Sequence, residues 1–66
     1  MTITLNGEPR AIGEDASVTA LLAALGLPPR KVAVELNREI VPRSTFDATR
    51  LASGDVVEIV TFVGGG

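Results

Sequence analysis

The chain has 66 residues, 6 Lys and Arg against 8 Asp and Glu, a net charge of −2, and neither Cys nor His. That length holds one domain, near the lower limit for an unaided core, and the missing Cys and His exclude disulfides, the common zinc sites and any thiol or imidazole catalyst. Basic residues are scattered at Arg10, Arg30, Lys31, Arg38, Arg43 and Arg50, so there is no stripe for nucleic acid, and no apolar run reaches the ~20 residues of a membrane span.

Met1, Ile3 and Leu5 alternate with Thr2 and Thr4, the period of two that sends one apolar row to one face of a strand. The opening is strand-like rather than a charged and then apolar targeting segment. A cytoplasmic protein is the expectation, and the lack of Cys agrees with a reducing compartment. Asn6-Gly7 supplies the pair tolerant of positive φ that a two-residue hairpin demands. The return segment Glu8 to Ile12 contains Pro9, which cannot donate to a ladder, so this strand belongs at a sheet edge.

Ser17 predicts a helix N-cap, with Val18, Leu21, Leu22 and Leu25 following at the i, i+3, i+4, i+7 spacing of one buried face. Glu14 and Asp15 precede it, where the helix dipole favours negative charge. Gly26 in the left-handed conformation would end the helix, Leu27 would fold back on its last turn, and Pro28-Pro29 would block continuation. Lys31 to Leu36 alternates again, with Val32, Val34 and Leu36 inward and Ala33 and Glu35 outward. Asn37-Arg38 turns into a short extended piece, Glu39 to Val41, stopped by Pro42. Arg43 to Leu51 has no clean period; Phe46 and Leu51 are expected as plugs beneath an irregular or single-turn helical connection.

Ser53-Gly54-Asp55 marks a turn, and Val56 to Phe62 is apolar on both faces, as in a central strand. The expectation is an α+β fold in which a mixed sheet of four to five strands packs on one helix, the last strand beside the first. Residues 1–63 form the body and 64–66 a glycine tail. The open sheet face would then show Thr2, Thr4, Glu35, Val60 and Phe62 to water.

Catalysis by side chains finds little support. Ser17, Ser44 and Ser53 have no base, and Glu14, Asp15, Glu35, Glu39, Asp47 and Asp55 read as solvated charge at a helix entrance, strands and turns. Nothing resembles the loop of about six oxygens that hard metals want. The terminal glycines form no phosphate cradle, because that needs a helix N-terminus behind the loop. What remains is the end of the chain itself. Gly64, Gly65 and Gly66 make a side-chain-free leash of roughly 10 Å when extended, although a glycine run alone is also what an ordinary frayed terminus looks like. An α-carboxylate, ionised above about pH 3.5, resists nucleophiles. To react as an acyl group it needs a leaving group, most simply AMP from ATP, and a chain without a nucleotide site leaves that step to a partner. Val60 and Phe62, beside the tail on the open face, form the kind of apolar patch that marks a partner site, while a lone Phe at a strand end can also cover the core.

Four stretches, Met1 to Gly7 (MTITLNG), Val32 to Pro42 (VAVELNREIVP), Ser53 to Thr61 (SGDVVEIVT) and Val63 to Gly66 (VGGG), resemble the ThiS family, the sulfur carriers of thiamine biosynthesis. VAVELN followed by a GD turn and this ending is more specific than the glycine pair that all such carriers share. Arg38 departs from the Gly that often follows the Asn. The resemblance implies a β-grasp, ubiquitin-like fold and a chain that is a protein co-substrate rather than an enzyme. It implies that the Gly66 carboxylate is adenylated by an E1-like enzyme using ATP and Mg²⁺, then converted to a thiocarboxylate with sulfur relayed from a cysteine desulfurase or another donor. Delivery to thiazole synthase follows, with Val63, Gly64 and Gly65 bound by the partner's tunnel and Val60 and Phe62 docking the body. The alternatives are the small subunit of molybdopterin synthase, a conjugated ubiquitin-like modifier, and a pure interaction module with an inert tail.

Overall fold

The alternating, helical and turn patterns become a five-stranded sheet over one helix in the structure, a computed structural model that describes residues 1–62. Along the chain run β1 (Thr2–Leu5), β2 (Glu8–Ala11), α1 (Val18–Leu25), β3 (Val32–Leu36), β4 (Glu39–Val41) and β5 (Val56–Thr61). The spatial order is β2-β1-β5-β3-β4. β1 and β5 are parallel, with Thr4 opposite Val56, and the other neighbours are antiparallel. The last strand is therefore central, as its two apolar faces require, and Pro9 sits on the outer strand β2, where a missing N–H breaks no ladder. This is a β-grasp arrangement of the α+β class. Among the described residues, no helix is long and apolar enough to cross a membrane.

The core joins one sheet face to one helix face. Ile3, Val57, Ile59, Val32, Val34 and Val41 come from strands, Val18, Leu21 and Leu22 from α1. Leu25 is only partly buried and packs at the margin; Val18 is the more central residue of the helical stripe. Phe46 and Leu51 are buried plugs of the β4–β5 connection, which holds a single 3₁₀ turn at Arg43–Thr45. The Pro-Pro stop also holds such a turn, Pro29–Lys31, so β3 begins at Val32 and Lys31 stands outside it.

The ends of α1 follow their local chemistry. Ser17 Oγ accepts the Ala20 N–H at 3.0 Å. Gly26 is left-handed at φ 72°, and the Leu27 N–H closes onto the Leu22 carbonyl at 2.9 Å. Glu14 does not serve the helix dipole: its carboxylate pairs with the Met1 amino group at 2.9 Å, and the first turn of α1 contains no acidic residue.

Two asparagines fasten β5 from its two sides. Asn6, at φ 50° after the end of β1, donates its N–H to the Val57 carbonyl at 2.9 Å. The regular parallel ladder would next have the Asn6 carbonyl accept from Ile59, but the left-handed backbone turns into the hairpin. The side-chain Oδ1 takes that place, accepting the Ile59 N–H at 2.8 Å, while Nδ2 donates to the Ile59 carbonyl at 3.3 Å. Asn37, at φ 52° after the end of β3, repeats the device: its N–H donates to the Val56 carbonyl at 2.7 Å and its Oδ1 accepts the Val56 N–H at 2.9 Å. Asparagine suits both places because it tolerates the left-handed region and carries an uncharged acceptor of the right reach.

Candidate functional site

The C-terminal half of β5 positions the residues expected to meet a partner. Alternation along β5 puts Val57 and Ile59 into the core and turns Val56, Glu58 and Val60 to the opposite face. Val60 stands opposite Ala33 of β3 and is 61% exposed. Phe62 remains tied to the residue just before β3 through its N–H, which donates to the Lys31 carbonyl at 2.8 Å. At 53% exposure its ring is offered to solvent rather than spread over the core. Val60 and Phe62 thus share one open face, where the β3 neighbour of Val60 is the small side chain of Ala33.

That face is wider than the sequence pattern indicated. Ile40, 67% exposed on β4, stands opposite Glu35, which in turn stands opposite Glu58. One row therefore reads Ile40, Glu35, Glu58, and the next holds Ala33 and Val60. Ile40 could have been found: in a three-residue strand, Ile40 and Val41 are consecutive, so when Val41 enters the core Ile40 must face out. Among the described residues no Lys or Arg lies within ion-pair distance of Glu35 or Glu58, leaving the face apolar with a local negative spot.

Val63, Gly64, Gly65 and Gly66, the residues expected to enter a partner's tunnel and to carry the reactive carboxylate, lie outside the described residues. A concavity also lies elsewhere among the described residues: an open groove of about 510 Å³ at the start of α1, lined by Arg10, Glu14, Ser17 and Arg50 among others, which shares no lining residue with the Val60 and Phe62 face. Its Ser17 hydroxyl is engaged in capping, and Arg50 donates to the Asp15 carbonyl at 3.2 Å. Its serine oxygen and its Arg50 are thus both engaged in holding the entrance of α1, and the open sheet face, with its exposed apolar side chains, is the better candidate.

Comparison with known proteins agrees with the geometry. Residues 3–66 match the model of the ThiS family. The sulfur carrier protein ThiS of Bacillus subtilis is 38% identical over 65 residues, which are 97% of this chain and 98% of that one. Thiazole synthases of Paramagnetospirillum magneticum and Magnetococcus marinus are 48% and 46% identical over 66 residues, all of this chain but 20% of each of those proteins. The chain thus spans about one fifth of the length of these two relatives. The crystal structure of the thiamine biosynthesis protein ThiS from Geobacter metallireducens matches with a TM-score of 0.85 at 45% identity, covering 100% of both chains.

Proposed function

The chain belongs to the ThiS family, and from that premise we propose that it carries sulfur for thiazole formation in thiamine biosynthesis, as a protein co-substrate with no catalytic residues of its own. The observation that carries this reading is the end-to-end likeness to a sulfur carrier. The open face of Val60, Phe62 and Ile40 supports it, as exposed apolar surface on which a partner could dock.

The Gly66 carboxylate attacks the α-phosphorus of ATP in the active site of an E1-like enzyme holding Mg²⁺, and pyrophosphate leaves. A sulfur nucleophile, drawn from a cysteine desulfurase or another donor, then displaces AMP at the acyl carbon. When that nucleophile is the terminal sulfur of a persulfide, the product is an acyl disulfide; a thiol reductant then attacks the donor's sulfur, forms a disulfide with it, and releases the thiocarboxylate. Sulfur is softer and more nucleophilic than the oxygen it replaces, so the anion can be consumed by thiazole synthase and regenerated. Val63, Gly64 and Gly65 thread the partner's slot, where the absence of side chains at the glycines allows close backbone approach, and Val60 and Phe62 hold the body against the entrance. All of this is cytoplasmic chemistry.

Intact mass spectrometry tests the reading. Incubation with an E1-like adenylating enzyme, Mg-ATP, a cysteine desulfurase with cysteine, and a thiol reductant should raise the mass by one oxygen-to-sulfur exchange, and deletion of Gly66 should abolish the shift. An unchanged mass in the intact chain, with the enzyme active on another carrier, would refute the carrier role. Exchange without sulfur delivery to thiazole synthase would refute the assignment to thiazole formation.

A further inference from the structure

We infer that Asn6 is a positioning residue for the tail: its side-chain clamp on Ile59 fixes the direction in which β5 leaves the body, and so the rate at which the Gly66 carboxylate is activated. This rests on the carrier function proposed above.

The two sides of β5 are held unequally. Toward β3, pairing continues along the whole strand, from Asn37 opposite Val56 to the Phe62 N–H on Lys31. Toward β1, pairing covers only Thr4 and Leu5, and then the chain turns at Asn6-Gly7. The carbonyls of Asp55 and Val57 and the N–H of Ile59 point to the β1 side. By alternation the N–H and carbonyl of Thr61 point there as well, into a lane that no described residue fills. Asn6 is therefore the last fixed point on that side before the tail. Its amide adds one further rung, through the Ile59 N–H at 2.8 Å and carbonyl at 3.3 Å, after the β1 backbone has turned away. Without it, β5 would have no hydrogen bond on its β1 edge beyond the Val57 carbonyl, and the direction of the strand past Ile59 would rest on its β3 ladder and core packing alone.

Asn37 makes this separable from simple stability. It uses the same side-chain oxygen in the same left-handed conformation, but it acts on Val56, at the opposite end of β5. N6G and N37G both preserve the positive φ without steric penalty and remove only the amide. Both should be destabilised to a similar extent, and only N6G should disturb the tail.

The experiment compares the full chain and these two variants with an E1-like adenylating enzyme and Mg-ATP, measuring pyrophosphate exchange as a function of carrier concentration, together with amide hydrogen exchange. In the unsubstituted chain Ile59 should be among the slowly exchanging amides. N6G should lose that protection and show kcat about tenfold lower with KM within twofold, because small misplacement of a reacting group is felt in the chemical step while docking is unchanged. N37G should lose protection at Val56 and keep both constants within twofold. Equal kinetic effects of the two variants, or an effect of N6G confined to KM, would overturn the inference while leaving the carrier function standing. Fast exchange at Ile59 in the unsubstituted chain would overturn it whether or not N6G folds. No pyrophosphate exchange with any form, from an enzyme active on another carrier, would sink the carrier function and the inference with it.

Discussion

Replacing Phe62 by Ala tests whether the open face is a docking surface. A Phe side chain buries ~150–250 Å² when fully covered, and Phe62 is 53% exposed, so a partner could cover roughly 100 Å² more of it. At about 25 cal/mol per Å² that is a ceiling of about 2.5 kcal/mol. Ordering of the ring takes back part of this, leaving about 2 kcal/mol, or roughly a thirtyfold rise in Kd. The free domain loses less, about 1 kcal/mol, because the ring lies at the strand end outside the core. That lowers Tm by about 4–8 °C for a domain of this size. Calorimetric titration of the chain into thiazole synthase or the adenylating enzyme, well below Tm, gives the Kd; turnover of Mg-ATP at saturating carrier gives kcat. The expected pattern is weakened binding with unchanged kcat, the signature of an interaction equally present in ground and transition states. Affinity within twofold of the original for both partners would refute the assignment of Phe62 to docking.

Arg38 occupies the left-handed region at φ 73° in a turn whose counterpart, Asn6-Gly7, has glycine at the same place with φ 85°. R38G should relieve a penalty of about 1 kcal/mol, offset in part by the freer unfolded chain, and raise Tm by roughly 2–8 °C in thermal unfolding followed by circular dichroism. A neutral or lowered Tm would mean that the Arg38 side chain contributes contacts outweighing its backbone strain. Ser17→Ala removes the acceptor for the Ala20 N–H, and should cost about 1 kcal/mol in urea unfolding with an unchanged m-value.

Much of this architecture was legible because its causes are local. The alternation of Met1 to Leu5, the Ser17 cap, the Gly26 stop and the doubly apolar Val56 to Phe62 each depend on neighbours a few residues away, and each is where the pattern put it. The central place of β5 followed from its composition alone. What could not be read were effects of partners distant in sequence. Asn6 and Asn37 look like ordinary turn residues, and nothing near them says that one reaches Ile59 across 53 residues and the other Val56 across 19. A hint existed in the repeated Leu-Asn at the ends of β1 and β3, since regular turn chemistry does not require the same preceding residue twice. Glu14 was assigned to the helix by proximity, and the Met1 amino group, brought close by the hairpin, captured it instead. The open apolar face was half visible: Val60 and Phe62 followed from the strand period, while Ile40 needed knowledge of which side of β4 met the core.

The use of a central strand to launch the tail has a physical rationale. An edge strand frays at low free energy, and a tail leaving from one would sample many directions. β5 instead has Val57 and Ile59 in the core, so its inward row cannot shift without opening the domain. The same strand turns Val60 outward, so the exposed residue proposed for docking is held by an element whose alternate residues lie in the core. Where the β1 lane ends early, the fold would lose part of that rigidity just before the tail, and there the Asn6 amide continues the ladder after the backbone has turned away. A protein with so small a core thereby keeps its last described strand packed on its inner face and hydrogen-bonded on both edges as far as Ile59.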